Sequence, residues 1–583
     1  MLCLFISPLK VVSTGICACQ ILQVTTPVIT ANTFKRKRKF SSYPLMKRKE
    51  ADSELTSPHE KKKPRVTTMA TQRLQLTAQE QRLRRLLLDV ANFIDEAKEL
   101  KEKIELRFAG GWVRDRLLNI PSHDIDTAIN SLTGVTFCEY MAEFITDPAN
   151  VEKHNINEGE IGRLHTIAKN PEKSKHLETT TVLIFGFDVD FVNLRKETYT
   201  DDSRNPQVEF GTAEEDALRR DATINAMFYN LKSDQVEDFC GGLEHLKAKL
   251  IKTPLEPLTT FTDDPLRVLR LIRFASRLEF RIDPETEVAM TDPAVTQALM
   301  AKITRERVGI EVEKMLKGKD PRAALRLIDR LGLYKFIFID PTVETVEFPS
   351  TTNWSIVYEF LYELKSNETP GSIWKGLVRS EDAQFAAWVL AALTPWSTIP
   401  LPKPTAAGKQ LPPLPTLVAQ KGVKLNGKIC DIVTGCFRNF QEITSLRDSI
   451  LKKEPLIHER DTLGMMVRRW DNQGKNWRLQ VLLAVLVESM TTNESNKATL
   501  LSNWQQFIEH LEGLDLMDAP SLKPLVNGNE LRKALGGIKA GIWMKPALDV
   551  CLEWQLRNLG NENKEEAIEE VKKRKEELKI PSA

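Results

Sequence analysis

The sequence predicts a small α/β domain followed by a long, all-helical remainder. Residues typical of β-strands are concentrated before Leu218, whereas from Leu218 onward the apolar residues recur with the helical period. The length of 583 residues also exceeds what one hydrophobic core usually holds, so two or more domains are expected.

Composition and charge narrow the class of protein. Hydrophobic residues make up 42% and charged residues 28%, which suits a soluble globular chain rather than a disordered or membrane protein. The formal net charge of +2 is unevenly placed, because residues 1–68 carry 13 Lys/Arg against 4 Asp/Glu and the remainder sums to −7. A nucleic-acid partner would therefore have to be held by local basic surfaces.

Residues 1–68 have the composition of a targeting or disordered segment rather than of a folded domain. No acidic residue precedes Glu50, and apolar, Ser/Thr and basic residues are mixed as in mitochondrial presequences. The apolar run 2–6 leaves a secretory signal as an alternative, although the run is short and no basic region precedes it. A third interpretation is sequence upstream of a later translation start.

Basic clusters and methionines in the same segment indicate more than one destination. Residues 35–39 and 61–65 resemble a nuclear import signal, or else form a solvated basic arm. Starts at Met1, Met46 or Met69 would include or omit them, so mitochondrial, nuclear and cytoplasmic locations are expected. No apolar stretch of 18 or more residues predicts a transmembrane helix, and cysteines without a CxxC pair indicate reduced thiols.

The elements of the α/β part follow in quick succession. The pattern predicts a helix over 74–105, a strand over 106–109, a turn at Gly110-Gly111, a helix from Trp112 and a strand over 124–129. The next stretches are a weakly patterned segment over 130–160, which is expected to include a mobile loop, and a β-rich segment over 182–194. Farther on, the pattern predicts a connector rich in Pro and Thr over 341–420 and a charged helix over 562–579.

The Gly-Gly turn between a strand and a helix predicts a site for an anion. Gly110 and Gly111 let backbone N–H groups approach a triphosphate closely, and the start of the next helix adds a favourable dipole. Arg114 in that helix is a candidate phosphate ligand. By itself the pair is weak evidence, because most Gly-Gly pairs are only turns.

Two pairs of aspartates alternate on predicted strands. Asp124 and Asp126 flank Ile125, so both carboxylates face one side of the strand and can bridge two magnesium ions. A lone pair of this kind would more often cap a turn. A second pair, Asp188 and Asp190, occurs in an apolar run, where charge is costly unless it is paired or metal-bound. Asp190 is the candidate third catalytic carboxylate, and Asp188 is left as a residue at the strand edge.

Arg220, Asp221 and Asn225 form a third group, predicted to lie on one helix. Asp221 and Asn225 are four residues apart, which places them on one face of that helix. Asp and Asn side chains can hydrogen-bond ribose hydroxyls, and an Arg can hold phosphate. The alternative is a cluster of salt bridges on the surface.

Asp264 and Arg267 form a fourth group near a predicted helix start. Asp264 suits the N-cap and Pro265 the first helical position, which explains both residues structurally. Arg267 is not explained in this way. Since it lies three residues after Asp264, the two side chains can point together and offer an acceptor and a donor fork to the edge of a base.

The four groups, in this order, resemble the motifs of class II tRNA nucleotidyltransferases of the eukaryotic type, in the DNA polymerase beta-like superfamily. GGWVRD at 110–115 with the DID at 124–126 resembles the catalytic motif, and RRDATINA at 219–226 the ribose-binding motif. DFCGG at 238–242 resembles the head–neck junction. DDPLRVLRLIRFA at 263–275 resembles the amino-acid template, with Asp263 replacing the usual Glu, and the segment from Ile303 to Glu313 the fifth, helix-stabilising motif.

This resemblance implies a fold, a reaction and partners. The fold would be an α/β nucleotidyltransferase head over 69–240, then an all-α neck over 241–340, body over 341–515 and tRNA-binding tail over 516–583. The reaction would add CCA to the tRNA acceptor end from CTP and ATP, with two Mg²⁺ ions. The implied site residues are Asp124, Asp126 and Asp190 for catalysis, the first two as metal ligands, and Gly110, Gly111, Arg114, Arg220, Asp221, Asn225, Asp264, Arg267 and Arg270 for nucleotide binding.

Other functions on the same scaffold remain open at this point. A poly(A)-adding enzyme, or an enzyme that adds only CC or only A, would have similar motifs. A non-catalytic RNA-binding protein that kept the fold is a more distant alternative, because the acidic and basic residues of all four groups are present.

Overall fold

The structure is a computed structural model that describes residues 73–97, 100, 102–162, 165–167, 179–200, 203–343, 347–472 and 476–581. The predicted targeting segment and its three start sites lie outside these residues. In the described part of the chain no helix is long and apolar enough to cross a membrane, and the cysteines are free thiols, in line with the sequence.

The α/β head is a layer of helices packed on a sheet. Its elements are α1 (Ala78–Ala97), β1 (Leu106–Ala109), α2 (Gly111–Leu117), β2 (Asp124–Ile129), α3 (Gly134–Phe144), α4 (Pro148–Lys153), β3 (His165–Ile167), β4 (Thr179–Ile184), β5 (Phe187–Asn193), β6 (Arg195–Thr200), β7 (Ser203–Phe210), α5 (Ala213–Leu218), β8 (Met227–Asn230), β9 (Gln235–Asp238) and α6 (Gly242–Lys247).

The main sheet is mixed, with the strand order β3-β4-β5-β2-β1-β8-β9. Strand β2 pairs antiparallel with β1 and parallel with β5, so it lies at the centre of the sheet. Every residue of β1 is buried, whereas β2 begins exposed at Asp124 and becomes buried toward Ile129. The polar end of β2 therefore lies at an edge of the core, where a ligand can reach it.

The described residues of the remainder are helical or irregular apart from one short strand pair, in agreement with the predicted helical remainder. Its elements are β10 (Leu250–Ile251), α7 (Pro257–Asp263), α8 (Leu266–Leu278), β11 (Arg281–Ile282), α9 (Pro284–Met290), α10 (Pro293–Lys302), α11 (Arg305–Leu316), α12 (Pro321–Arg330), α13 (Tyr334–Ile337), α14 (Trp354–Ser366), α15 (Ile373–Leu377), α16 (Glu381–Leu393), α17 (Leu414–Leu417), α18 (Gly427–Lys452), α19 (Arg460–Asn472), α20 (Trp477–Thr491), α21 (Lys497–Gly513), α22 (Gly528–Ala534), α23 (Met544–Arg557) and α24 (Lys564–Lys573).

The segment over residues 130–160, predicted to be weakly patterned and to include a mobile loop, contains the helices α3 and α4, which the prediction did not anticipate. Thr133 caps α3 by accepting the Thr136 N–H, and Asp147 caps α4 in the same way. Phe137, Met141 and Phe144 recur at helical spacing and are buried. The caps and this apolar stripe are the signals that the sequence prediction passed over.

The β-rich segment is confirmed, and two other boundaries differ from the predictions. The β-rich segment over 182–194 is a hairpin of β4 and β5, turned by Phe185 and Gly186 with positive φ angles of 53° and 83°. Helix α1 ends at Ala97, and the Asp95 side chain accepts the Ile104 N–H where the chain turns back toward β1. The connector predicted over 341–420 contains α14, α15 and α16, so the irregular stretch begins only after residue 398.

Hydrophobic packing separates the C-terminal tail from the rest. The main core runs continuously from α1 through α21, and it includes Leu556 of α23. A second cluster, from Val526 to Val571, joins α22, α23 and α24. The tail thus has a core of its own and meets the body through α19 and α23, where Gly464 lies against Leu556.

Candidate active site

Four aspartates lie on one face of the central sheet. Asp124 and Asp126 alternate along β2, and Asp188 and Asp190 alternate along the parallel neighbour β5. The register pairs Asp124 with Asp188. It pairs Asp126 with Asp190. Because paired residues of adjacent strands point to the same face, the carboxylates form a grid with about 4.8 Å between strands and about 6.6 Å along each strand.

The grid makes ionisation of its buried members costly. Burial raises the pKa of Asp126 to about 6, and the negative charges of Asp124 and Asp190 act in the same direction. The positive charge of Arg220 acts in the opposite direction. The pKa of Asp124 is also raised, mainly by burial and to a smaller extent by the charges of Asp190 and Asp188. Neighbouring negative charges of this kind are relieved when a cation binds between them.

Asp190 and Asp188 differ in their surroundings. Asp190 is partly buried and accepts a hydrogen bond from the Thr181 hydroxyl on β4, whereas Asp188 is exposed. Among the described residues, no three His, Cys, Asp or Glu side chains are close enough together to hold a metal ion by themselves. Magnesium is usually held by one or two carboxylates with water and substrate phosphates, so a pair such as Asp124 and Asp126 suffices.

Gly110 lies between the carboxylates and the partly buried Arg220. Its φ angle is +65°, in the left-handed region that favours glycine. A Cβ atom added there would lie 2.7 Å from Arg220 Nη1 and 3.7 Å from Asp126 Oδ2. Its N–H donates to the Met227 carbonyl at 3.1 Å, and no side chain caps the start of α2 at Gly111. Gly110 thus leaves space between Arg220 and Asp126, and Gly111 is the first residue of a helix whose N-terminus has no side-chain cap.

Arg220 is not helical, which corrects the prediction for this group. Helix α5 ends at Leu218, and residues Thr223–Asn225 form a short 3₁₀ turn before β8. Arg220 donates to the Asp216 carboxylate at 3.0 Å and to the Asn225 carbonyl at 3.1 Å. Asp216 also binds Arg219, so one buried carboxylate orients two arginines and ends the helix.

Asn225 connects the ribose-motif residues with helix α2. Its side-chain Nδ2 donates to Asp221 at 3.1 Å, and its side-chain Oδ1 accepts from Arg114. Arg114 is 3% exposed and also binds its neighbour Asp115 at 2.8 Å. Burial lowers the pKa of Arg114, against the raising effect of Asp115. In this arrangement Arg114 orients Asn225. Because Arg114 is buried, a phosphate could contact its guanidinium only after the surrounding side chains rearrange.

Arg270 continues this chain of contacts into the helical part. Its Nε donates to the Asp221 carboxylate at 2.6 Å. Hydrogen bonds and the charge of Arg270 outweigh burial and lower the pKa of Asp221 to about 2. Helices α8 and α11 are joined in turn by Arg273, which binds Glu311 at 2.6 Å. The ribose-motif residues are thereby tied to the helix that carries Asp264 and Arg267.

Asp264 and Arg267 lie at the start of α8, which begins at Leu266, one residue later than predicted. Asp264 accepts the Leu266 N–H at 3.2 Å, as the predicted cap would, and also pairs with Arg307 of α11 at 3.1 Å. Arg267 donates to the carbonyls of Thr260 and Arg219 at 3.1 and 2.7 Å. These two bonds hold the guanidinium while leaving other N–H groups of the five for a ligand.

Several supporting residues were absent from the sequence prediction. Asp216 precedes Arg219 by three residues and Arg220 by four, a spacing that signals ion pairs on a helix. Asp115, which binds both Arg114 and Arg277, stands in the quoted GGWVRD motif but was assigned no role. Contacts such as Thr181 with Asp190 join separate segments, and no local spacing signals them.

Two regions match models of known protein families. Residues 106–252 match the family described as "Poly A polymerase head domain". Residues 279–345 match the family described as "Probable RNA and SrmB- binding site of polymerase A". The first region contains the sheet and the four aspartates, and the second begins just after α8.

Curated relatives match over most of the chain. A protein of Purpureocillium lilacinum named "Nucleotidyltransferase lcsQ" is 46% identical, covering 92% of this chain and 98% of its own. "tRNA nucleotidyltransferase cca2" of Schizosaccharomyces pombe is 33% identical, covering 83% and 96%. "CCA tRNA nucleotidyltransferase, mitochondrial" of Saccharomyces cerevisiae is 35% identical, covering 83% and 91%.

Solved structures share the fold. One described as "The complex structure of CCA-adding enzyme with ATP" aligns with a TM-score of 0.57 and 21% identity, covering 87% of this chain and 97% of its own. The Thermotoga maritima CCA-adding enzyme complexed with tRNA aligns with a TM-score of 0.54 and 22% identity, covering 85% and 96%. The sequence expectation of a mixed α/β head followed by helices is thereby confirmed.

Proposed function

The chain belongs to the tRNA nucleotidyltransferase family, and we propose that it adds CCA to the 3′ end of tRNA from CTP and ATP without a nucleic-acid template. The observation that supports this most directly is that Asp126, Gly110 and Arg220 lie within a few ångströms of one another. Asp124 lies on the same strand as Asp126 and on the same face of the sheet. Carboxylates for metal, space for a triphosphate and a partly buried cation are thus adjacent.

The RNA end product is the part of the proposal that most needs a direct test. The yeast relatives have CCA addition in their names, whereas the relative at 46% identity is named only as a nucleotidyltransferase. Poly(A), CC-only and A-only addition use the same scaffold and remain the alternatives. A tRNA transcript without CCA, incubated with CTP, ATP or both, distinguishes them when the 3′ ends are sequenced. Ends other than CCA with both nucleotides would reject the proposal.

Magnesium is the implied cofactor, and the residues present fit it. Asp124 and Asp126 would hold it, because a cation would relieve the repulsion between the carboxylates that lie together on this face of the sheet. When bound, two such ions would supply charge stabilisation for the reacting phosphate and increase the reactivity of the RNA 3′-hydroxyl. Asp190, oriented by Thr181, would complete the acidic set on the same face.

The other residues bind and orient the nucleotide. Gly110 leaves room for the triphosphate, and the uncapped start of α2 at Gly111 offers N–H groups and a favourable dipole. Arg220, held by Asp216, supplies positive charge beside this space. The reaction joins the RNA 3′-oxygen to the α-phosphorus of CTP or ATP and releases pyrophosphate.

Ribose and base would be held from the other side of the cleft. Asp221 and Asn225 form a hydrogen-bonded pair suited to ribose hydroxyls, and Arg270 orients Asp221. Arg114 would act by holding Asn225. At the start of α8, Asp264 and Arg267 would read the base edge, with Arg307 orienting Asp264.

The proposal extends to RNA binding, division into domains and location. The head over 69–240, neck over 241–340, body over 341–515 and tail over 516–583 would together hold tRNA, with the tail, which has a hydrophobic core of its own, as a tRNA-binding part. Named mitochondrial relatives in two yeasts support a mitochondrial location. The basic clusters of the N-terminal segment motivate nuclear and cytoplasmic pools from alternative starts.

A further inference from the structure

Asp115 is a buried carboxylate of α2 to which the proposed function gives no role. Only 4% of the residue is exposed. Its Oδ1 accepts from Arg114 Nε at 2.8 Å and lies 2.7 Å from Arg114 Nη2, so it holds one edge of that guanidinium. Its Oδ2 accepts from Arg277 of α8 at 3.0 Å. One buried carboxylate, shared by two arginines, therefore joins α2 to α8.

The contact between Asp115 and Arg114 determines how the Asn225 side chain is turned. With Nε and Nη2 directed to Asp115, Arg114 donates through Nη1 to the Oδ1 of Asn225. An amide whose oxygen accepts on one side presents its NH₂ group on the other. There, Asn225 Nδ2 donates to Asp221 Oδ1 at 3.1 Å. The orientation of this amide thus follows from the position of the Arg114 guanidinium, and through it from Asp115.

Helix α8 holds the same chain of contacts at its other end. Arg270 donates to Asp221 Oδ2 at 2.6 Å. Arg277 follows Arg270 by seven residues, close to two helical turns, so both side chains leave the same side of α8. The contacts therefore form a closed circuit, which leaves α8 at Arg277, passes through α2 and the ribose-motif residues, and returns to α8 at Arg270.

Phe274 of α8 packs against two members of this circuit. It is buried, and it lies between positions 270 and 277. The guanidinium carbons of Arg114 and Arg270 lie 5.6 and 5.4 Å from the centre of its ring. Because an aromatic face attracts cations, the two arginines that hold Asn225 and Asp221 share one packing partner on α8.

The charges of the circuit explain why a carboxylate is needed at position 115. Burial lowers the pKa of Arg114, the charge of Arg277 acts in the same direction, and Asp115 opposes both. Without the Asp115 charge, Arg114 and Arg277 would be neighbouring cations with no anion between them. Such cations repel each other, so Arg114 would move away from the position in which it holds Asn225.

We propose that Asp115 is a positioning residue for the ribose of the incoming nucleotide. Through Arg114 it fixes the Asn225 amide in the orientation that pairs with Asp221. Through Arg277 it holds this pair in place relative to α8, the helix that carries Arg267 for the base. The inference rests on the proposed function in taking Asn225 and Asp221 as the ribose-binding pair.

The test measures how strongly the full chain prefers a ribose to a 2′-deoxyribose. The protein is titrated with magnesium-ATP and with magnesium-2′-dATP, and the ratio of the two Kd values reports the contact with the 2′-hydroxyl. A hydrogen bond to this hydroxyl should give the wild-type protein a preference for ATP on the order of tenfold. Asp115→Asn keeps the shape but loses the charge, and its preference should fall to about twofold or less. A merely structural role would change both Kd values equally and leave their ratio unchanged.

Glu237→Gln is the matched control. Glu237 is another largely buried carboxylate of the head, where it accepts from Arg107 at 2.6 Å and from Asn230 at 2.9 Å. This variant breaks an ion pair that does not belong to the circuit, so its preference for ATP should equal that of the wild-type protein. Thermal unfolding of both variants measures the stability that each change costs.

Arg277→Gln provides the test if Asp115→Asn does not fold. The Arg277 side chain is 42% exposed, so the fold should tolerate its replacement, and Arg114 keeps its own contact with Asp115. The preference for ATP should then fall by a smaller factor than in Asp115→Asn.

The proposal is overturned if Asp115→Asn, or Arg277→Gln in its place, keeps the wild-type preference, or if the wild-type protein binds both nucleotides equally well. The titrations need no tRNA, so they do not depend on which RNA end the protein produces. A wild-type protein that failed to add CCA while preferring ATP to 2′-dATP would reject only the proposed function.

Discussion

At the scale of single residues, the site brings together groups that oppose folding. Asp126 is a largely buried carboxylate next to two others, and Gly110 adopts a backbone conformation that disfavours a side chain. Such features persist when the surrounding structure enforces them, and they are typical of binding sites. They lead to three predictions about individual side chains.

The first prediction concerns the carboxylate grid. Asp124→Ala or Asp126→Ala should reduce nucleotide addition by about 10³-fold or more, because metal ions supply several kcal/mol of transition-state stabilisation. Asp190→Ala should have a similar effect, while binding of tRNA survives in all three. Asp188→Ala is the matched control, since it removes a carboxylate from the same face that is assigned no metal or catalytic role. Near-normal turnover of Asp124→Ala and Asp126→Ala with magnesium would contradict the assignment.

The second prediction separates stability from activity at Asp126. The folded pKa of about 6 exceeds the ordinary value of 3.8, so the folded chain binds this proton more tightly than the unfolded chain. Stability from this group is therefore present at low pH and lost as the pH rises toward 6. Without metal, Asp126→Asn should raise the free energy of unfolding at pH 7 by about 1–3 kcal/mol, while losing activity.

Thermal unfolding in the presence of a chelator measures this effect. The advantage of Asp126→Asn should grow between about pH 4 and 6 and stay constant above that range. An advantage that is equal at all pH values would show that the carboxylate charge is not its cause.

The third prediction is that Asp264 and Arg267 select the incoming base. Cytosine and adenine each offer an amino donor beside a ring-nitrogen acceptor, which match the carboxylate and the guanidinium. Uracil and guanine reverse this order, and each mispaired buried group costs about 1–3 kcal/mol. Asp264→Ala and Arg267→Ala should therefore admit UTP or GTP. Competition among all four nucleotides tests this, and unchanged preference for CTP and ATP would leave only a helix cap and a buried structural arginine.

At the scale of elements, close packing of α11 joins the site to the body. Arg305, at its start, donates to the carbonyls of Gly422 and Phe336 at 2.6 and 3.0 Å, and burial lowers its pKa to about 10. One turn later, Gly309 lies against the backbone, where an added Cβ would meet the Val423 carbonyl oxygen at 2.2 Å. The helix that carries Arg307 and Glu311 is thereby fixed at both faces.

The fourth prediction follows from that approach. Gly309→Ala should lower the free energy of unfolding by about 1–3 kcal/mol, because overpacking outweighs the ~1 kcal/mol that alanine adds in a helix. Gly513→Ala is the control, since no atom lies within 4 Å of its added Cβ, and it should be neutral or slightly stabilising. Unfolding temperatures of both variants decide the matter. A Gly309→Ala protein as stable as wild type would mean that α11 and residue 423 separate without cost.

At the scale of the whole molecule, the described fold begins with α1. Leu83, Leu86 and Leu87 of this helix are fully buried in the main core. Just before it, the Gln75 carbonyl accepts from Arg116 of α2. These contacts all lie after Met69.

The fifth prediction is that a chain beginning at Met69 folds and retains activity on tRNA. It keeps α1 and the contact at Gln75, and omits only the predicted targeting segment. A chain that begins at Leu100 is the contrasting control and should fail to fold, because it exposes the core that α1 covers. Activity assays and thermal unfolding distinguish the cases. A folded but inactive Met69 chain would assign residues 1–68 to the working enzyme.

The sequence alone determined that an α/β head precedes a helical remainder, where the strands β1 and β2 lie, and which residues make up the motifs. These are local properties, because the alternation of Asp124 and Asp126 or the Gly-Gly turn can be read within a few residues. The helices α3 and α4 were equally local, and the prediction missed them by passing over their caps at Thr133 and Asp147.

Only the tertiary structure decided which of these residues meet. The parallel register of β2 and β5 brings Asp190 beside Asp126, and a direct hydrogen bond rather than a shared helix joins Asn225 to Asp221. The pairing of Asp264 with Arg307 likewise joins segments that are 43 residues apart. Register and helix packing depend on how whole elements bury their apolar faces, so no spacing along the chain encodes such contacts.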